Sequence, residues 1–453
     1  MKTSIIILTH NKLEYTKKCI ESIRKFTEEL EYEIIVIDNC SSDETPQWIS
    51  EQTDIISILN KENVGFPKGC NQGIEVATGD NILLLNNDII VTPNWLNNLL
   101  IALHSSPKVG AVGPVTNNAS YGQVITVSYK DDEEMLVFAK EYNQSDSLKW
   151  IKRLKLIGFC LLFKKEVFDR IGYLDETFTP GNFEDDDYCL RIINQGYELL
   201  LCQDTFIHHY GSVSFSDKPV EFIEVLINNH EKFKTKWGID PGQDYEIKYG
   251  LIRYVTPHQD NSGLRILDVG GHCGATALEI MNNFKNTTVD IIEENPSAAL
   301  IASHFGNVIS FDINYIDRLQ TNQYDYILVE QIESLINPDL TLNKLKRVLK
   351  NDGNIIIAAQ NKMYYKQILG LLDQRNTNIY HLLLIPKYEK NYSIRALNEM
   401  LLKNEFQQIT FTGIITEDIT VEDNATINKL VSLSGYHESQ FIPSTYIITA
   451  KKE

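Results

Sequence analysis

Aliphatic runs and amphipathic stretches alternate from residue 4 onward, and that alternation leaves few folds open. Residues 4–8 form an unbroken aliphatic run, as in a strand buried on both faces. Tyr15, Cys19, Ile23 and Phe26 then recur at helical spacing with Lys and Glu between them. Residues 34–37 read as a second strand, Asp43 and Thr45-Pro46 as the opening of a second helix, and residues 55–59 and 82–85 as two more strands. This order predicts a parallel sheet of βαβ units. Two of the strands run into acid: one into Asp38, with Asp43 beyond it, the other into Asn86-Asn87-Asp88. In an open parallel sheet the carboxyl ends of the strands face the ligand crevice, so both tips are candidate binding positions.

A chain of 453 residues exceeds what one core holds and predicts separate domains. Pro241-Gly242 and the polar stretch up to Gly263 mark a linker over 241–262, between a first domain at 1–240 and a second at 263–453. Residues 116–150 break the rhythm of the first domain and read as an inserted, mobile loop with a short helix. The net charge is −19, and residues up to 245 carry 23 basic against 37 acidic side chains. Such a surface repels phosphate backbones and anionic lipid, which argues against nucleic acid and membrane as partners. No apolar stretch has the length of a membrane helix, and the start lacks the apolar core of a signal peptide, so the expected location is cytoplasmic. Seven scattered cysteines without a Cys-x-x-Cys argue against a disulfide framework and against structural zinc.

Several further motifs follow the two acidic tips in order. They are Ser4-Ile-Ile-Ile-Leu-Thr9-His-Asn11, Asp38-Asn-Cys-Ser-Ser-Asp43, Asn63-Val-Gly65-Phe66, Gly69-Cys-Asn71-Gln-Gly73 and Asn86-Asn87-Asp88. Then come Glu184-Asp185-Asp186-Asp187 with Arg191, and His208-His209-Tyr-Gly-Ser-Val-Ser214. Together they resemble the family-2 glycosyltransferases, inverting enzymes of the Rossmann-like GT-A fold, over residues 3–215. The resemblance implies a nucleotide-sugar donor, a UDP-sugar, held by Asp38 with Thr9, Asn11, Asn63, Gly65, Lys68, Asn71, Asn86 and Asn87 around it. It also implies Mg²⁺ or Mn²⁺ on Asp88 and His209, with His208 as the alternative ligand, and Asp185 as the base that takes the acceptor proton. The family's acidic triplet reads Asn-Asn-Asp here, which leaves Asp88 as its one carboxylate.

The carboxylates at 184–187 also suit a helix N-terminus, where the dipole favours them. Crowding them raises their pKa toward the range useful to a base. Asp187 and Arg191, at i and i+4, read as structural partners. Asp43 reads as a helix cap, and residues 173–176 as part of the acceptor side.

In the second half, Asp268-Val-Gly270-Gly-His272-Cys-Gly274 follows a strand-like run, and residues 289–293 end in Glu293. Residues 324–330 and 354–359 look like later strands of the same sheet. The pattern resembles the class I S-adenosylmethionine methyltransferases over about 264–410, and implies a cofactor over Asp268, Gly270, Gly274 and Glu293. His272 stands at the motif's middle glycine and would crowd that cofactor. This favours a degenerate domain acting as scaffold, acceptor platform or homodimer surface over one that binds S-adenosylmethionine. Residues 411–453, with alternating aliphatic and Thr positions, are expected to add strands.

The expected activity is therefore transfer of a hexose or N-acetylhexosamine to a nucleophilic acceptor. The missing anchor and acidic first domain tilt the acceptor toward a peptide or protein Cys or Ser/Thr side chain, as in bacterial glycopeptide bacteriocins. The alternatives are a sugar hydroxyl in surface polysaccharide assembly, or a bifunctional glycosyltransferase–methyltransferase.

Overall fold

A computed structural model of the chain describes residues 1–211, 219–260, 262–372, 392–416 and 418–453. It divides into two compact units, Met1–Gly238 and Ile239–Glu453. Among the described residues, no helix is long and apolar enough to cross a membrane.

The first unit alternates as its sequence predicts. β1 (Thr3–Thr9), α1 (Leu13–Phe26), β2 (Tyr32–Asp38), α2 (Thr45–Ser50), β3 (Ile55–Leu59), α3 (Phe66–Val76) and β4 (Asn81–Asn86) follow one another. Beyond them lie β5 (Ile89–Ile90), α4 (Trp95–Leu103), β6 (Val109–Val115), α5 (Asp132–Tyr142), β7 (Trp150–Arg153) and β8 (Cys160–Lys164). α6 (Lys165–Ile171), α7 (Glu184–Asn194), β9 (Glu198–Phe206), β10 (His208–His209) and α8 (Pro219–Trp237) close the unit. Eight strands form one sheet in the order β3-β2-β1-β4-β8-β6-β9-β7, while β5 and β10 pair separately. The core of this sheet is aliphatic: Ile5, Ile7, Ile34, Val36, Leu83 and Leu85 are all buried, each worth about 1.5–3 kcal/mol on leaving water. Asp43 accepts the Thr45 amide at 3.0 Å and the Leu13 amide at 3.4 Å, so it closes the starts of α2 and α1 together. The insertion at 116–150 is anchored where mobility was expected. Phe138 and Phe206 meet edge to face at 5.2 Å, and the Tyr142 hydroxyl donates to the Gln203 carbonyl.

The second unit begins before its expected start. Residues assigned to a linker instead form α9 (Pro241–Asp244) and α10 (Tyr249–Ile252), with Tyr245, Leu251 and Ile252 buried. The reason is composition: five buried apolar residues from 245 to 255 outweigh the Pro-Gly punctuation. β11 (Arg265–Val269), α11 (Ala275–Asn283), β12 (Thr288–Ile292), β13 (Asn307–Ser310), β14 (Tyr324–Val329), β15 (Leu349–Gln360), β16 (Gln407–Ile414) and β17 (Thr445–Lys451) follow. Their order in the sheet is β13-β12-β11-β14-β15-β17-β16, with β17 antiparallel to both neighbours. The last two strands are those expected within the final stretch of chain.

Candidate active site

Register brings three strand tips of the first unit into one row: Thr9 lies beside Asp38, and Leu8 beside Asn86. Asp38 is buried; its Oδ2 accepts the Ser41 amide at 3.0 Å, and its Oδ1 has no hydrogen-bond partner among the described residues. Leaving a buried acceptor unpaired costs about 1–3 kcal/mol, so this oxygen is open to a ligand N–H or O–H.

Most polar neighbours expected on the donor are committed to the protein instead. Thr9 Oγ1 shares a hydrogen bond with Thr16 Oγ1, and Asn87 Nδ2 donates to both hydroxyls at 3.2 Å. Asn11, at φ 56°, receives no ligand-facing freedom: its amide donates to Ser41 Oγ and its Oδ1 accepts the Ser42 amide at 2.7 Å. Asn63 Oδ1 accepts from Gly65 N and from Asn39 Nδ2. Asn71 spends both Nδ2 hydrogens on the Leu174 carbonyl and Glu176, and accepts the Leu174 amide. Short polar side chains at strand and loop ends bond nearby backbone first, so these five shape the crevice wall. Asn39, which the sequence reading did not single out, joins them through the Val64 amide. Lys68 is exposed on α3. Gly65, at φ 84°, admits no side chain, since a Cβ would stand 2.6 Å from Thr179 Cγ2.

The pairing of β10 with β5 sets His209 opposite Ile89, next to Asp88. His209 Nε2 lies 3.2 Å from Asp88 Oδ1. Its Nδ1 lies 2.7 Å from the Asn118 carbonyl oxygen, which can only accept, so the proton sits on Nδ1 and the Nε2 lone pair faces the carboxylate. Two lone pairs that close require a shared cation, either a proton or a metal ion. Adjacent ligands of an octahedral ion at about 2.1 Å stand about 3 Å apart, so the pair fits two neighbouring positions on Mg²⁺ or Mn²⁺. Burial pushes the imidazole down, but Asp88 and the Asn118 carbonyl outweigh it and its pKa is raised. His208 faces elsewhere, its Nδ1 2.6 Å from the Tyr129 hydroxyl. Residues 212–214 of the His-His motif lie outside the described residues.

The four carboxylates opening α7 have four different environments. Asp187 binds Arg191 Nε at 2.9 Å, as the i, i+4 spacing predicts, and also Lys236 and Trp237. Asp186 pairs with Lys155 at 2.8 Å. Glu184 is buried, and burial with the Asp185 charge raises its pKa well above the usual carboxylate range. Asp185 accepts the Gly158 amide at 2.8 Å and the Asp186 amide at 2.9 Å. Burial and the Asp186 charge raise its pKa to about 6 against the pull of Lys155. Such a carboxylate is ionised at neutral pH and still basic enough to accept a proton.

Gly158 and Phe159 link Asp185 to the Asp88–His209 pair. The Phe159 ring stacks on His209 with centroids 5.4 Å apart and planes at 17°, and its carbonyl accepts the Asn86 amide at 2.9 Å. Neither residue belongs to a motif named from the sequence. The available signal was a single glycine inside a strand-like stretch, which marks a close backbone approach.

In the second unit, Asp268, Glu293 and Glu330 gather at the ends of β11, β12 and β14. Burial and the Glu293 charge raise the Asp268 pKa to about 7; burial and the Asp268 charge raise that of Glu330 to about 8. This acidic floor suits a cation, and Gly270, at φ 73°, leaves open space where a Cβ would point. Gly274 does not, with Ala302 Cα 3.1 Å from a Cβ there. On the rim, Glu293 and His272 are both engaged within the unit. Glu293 already accepts the His272 amide at 2.8 Å and the Asn295 amide at 2.7 Å. His272, in the left-handed region at φ 47°, is latched through Nδ1 to Asp244 at 2.7 Å.

Residues 4–172 match the family model described as Glycosyl transferase family 2. An uncharacterized protein of Sinorhizobium fredii is 28% identical over 229 residues, 47% of this chain and 24% of its own length. A hexosyltransferase of low-salt glycan biosynthesis from Haloferax volcanii is 28% identical over 214 residues, 44% of this chain and 64% of its own length. This chain thus spans less than two thirds of either. An O-methyltransferase of ubiquinone biosynthesis from Rickettsia canadensis is 30% identical over 178 residues, 38% of this chain and 72% of its own length. Residues 4–172 thus form a glycosyl transferase family 2 domain, and the chain also belongs to the methyltransferase family through its second half.

Proposed function

We propose that the first domain is a metal-dependent, inverting glycosyltransferase moving a hexose or N-acetylhexosamine from a UDP-sugar to a hydroxyl acceptor. One juxtaposition supports this above all. Gly158 holds the Asp185 carboxylate by its amide, while Phe159 meets His209 with its ring and the strand leading to Asp88 with its carbonyl. Asp38 receives the nucleoside through its unpaired oxygen. Asp88 and His209 would hold Mg²⁺ or Mn²⁺, which when bound supplies positive charge against the departing diphosphate. Asp185 takes the acceptor proton as the acceptor oxygen attacks the anomeric carbon. The bond to the diphosphate breaks on the opposite side, and the configuration inverts.

A hydroxyl, whose own pKa is far above that of a thiol near about 8.5, depends on a base such as Asp185 to attack, whereas a cysteine thiol needs less help. This favours a sugar or Ser/Thr hydroxyl over a Cys acceptor. The Haloferax relative, named for glycan biosynthesis, favours the sugar hydroxyl of the two. The second domain acts as a scaffold or acceptor platform. The test is Mn²⁺-dependent UDP release from UDP-glucose, UDP-galactose and their two N-acetylated counterparts. At least one donor should turn over and stop with a chelator. Turnover of none, or turnover indifferent to the chelator, refutes the reading.

A further inference from the structure

The backbone is most contorted just ahead of α7. Gly181, Asn182 and Phe183 all have positive φ, at 156°, 76° and 71°, and two of the three are not glycine. Residues in such sparsely populated conformations persist where the surroundings over-determine them, and they gather at active sites. Here the surroundings are one face of α8. Asn229, 1% exposed, donates from Nδ2 to the carbonyls of Phe178 at 2.6 Å, Gly181 at 2.8 Å and Asn182 at 3.4 Å. Lys232 Nζ holds both Asn229 Oδ1 and the Thr177 carbonyl. Lys236 and Trp237 grip Asp187 on the far side of Asp185. Positions 229, 232, 236 and 237 share one helical face.

The held turn also touches the donor side. Thr179 packs against Gly65 so closely that a Cβ there would collide, and the Pro180 carbonyl accepts the Phe66 amide at 2.8 Å. One turn therefore joins the glycine loop at the donor crevice to the helix that carries Asp185.

We propose that Asn229 is a positioning residue that, by fixing the turn at 178–183, sets the Asp185 carboxylate and the Gly65–Phe66 loop relative to one another. This rests on the glycosyltransferase reading and on Asp185 as its base. Asn229 touches no reacting atom; it acts through the turn.

The experiment is a double-mutant cycle on the full chain, read as UDP release with Mn²⁺ from whichever of those four UDP-sugars it turns over. Asn229→Asp keeps the side chain's size and removes the donor. It should lower kcat about 10- to 100-fold, the scale of a displacement near 1 Å, and raise the donor KM. In an Asp185→Asn background it should cost little more in kcat yet still raise KM, because groups acting as a unit are not additive. A lower melting temperature with wild-type kcat and KM would reduce Asn229 to a structural residue and overturn the proposal, as would kcat losses that multiply. If Asn229→Asp does not fold, Lys232→Met at the surface replaces it, with a smaller loss in the same two constants expected and no change in either overturning the proposal. Full activity in Asp185→Asn alone would instead overturn the base assignment beneath it, a separate and distinguishable failure.

Discussion

Gly158 gives its amide to the Asp185 carboxylate at 2.8 Å and leaves no room for a side chain. A Cβ there would stand 3.2 Å from the Asp185 Cβ and 3.3 Å from its Oδ2. The contact can be relieved only by moving the carboxylate or the strand by a few tenths of an ångström. Gly158→Ala should therefore lower kcat by about 3- to 10-fold, less than the 10²-fold of a full ångström. Donor affinity, measured by titration with UDP and Mn²⁺, should stay near wild type. A kcat equal to wild type would mean the carboxylate has slack that the geometry denies it.

The charges around Asp185 fix the sign of its pH response. Burial pushes its pKa up, the Asp186 charge adds to this, Lys155 pulls it down, and the outcome is about 6. A base works when ionised, so kcat should climb with pH and reach half its plateau near pH 6. Removing the Lys155 ammonium removes the downward pull, so Lys155→Met should move that limb to higher pH. It also strands Asp186, at a cost of about 3–5 kcal/mol of stability for a broken buried pair, so the profile is best taken at low temperature. Asp185→Asn should lose about 10²–10⁴-fold in kcat at every pH. A limb unmoved by Lys155→Met would show that some other group titrates there.

Much of this site was readable in one dimension because its parts are local. Asp38 and Asp88 each end an aliphatic strand, and an aliphatic strand announces both its own burial and its exit point. Asp187 and Arg191 are one helical turn apart, so their pairing needs no fold to predict it. The protein partners of the donor-side asparagines are not legible in the same way: Asn71 and Asn87 sit in motifs that point to a ligand, and Leu174 and Thr9, which they bond, lie about 80 to 100 residues away. Asn229 was invisible altogether, since its three carbonyl partners lie some 50 residues earlier and no residue type is needed to supply a carbonyl. Pro241-Gly242 looked like a linker because turn residues carry more local signal than the buried tyrosine and aliphatics that follow them.

Asp88 and His209 would supply two ligands to Mg²⁺ or Mn²⁺, and the donor diphosphate would add oxygens of its own. Metal and donor should thus bind as a unit. Asp88→Asn should weaken Mn²⁺ and UDP together, each by about 10- to 100-fold or more, since even outer ligand partners are worth that much. His209→Ala should do the same to a smaller degree, while His208→Ala, which loses contacts with Tyr129 and Tyr210, should leave both affinities near wild type. Calorimetry of UDP with and without Mn²⁺ reads all three. Equal effects of the two histidine variants would contradict the placement of His209.

The second domain has the strand order of a methyltransferase and a floor rich in carboxyl groups, but its rim is closed by contacts within the chain. Glu293 is already bonded at both oxygens, and His272 replaces a glycine and is tied to Asp244. An adenosine that displaces the His272 side chain from Asp244 breaks a bond to a charged group worth about 1.5–3 kcal/mol. One such loss raises Kd by about 10- to 100-fold. The full chain should accordingly show no micromolar binding of S-adenosylmethionine by calorimetry. His272→Gly removes the latch and restores the glycine, and should bring measurable affinity back. Micromolar binding by the unaltered chain would mean that the latch yields easily, and the second domain would then be a candidate enzyme in its own right.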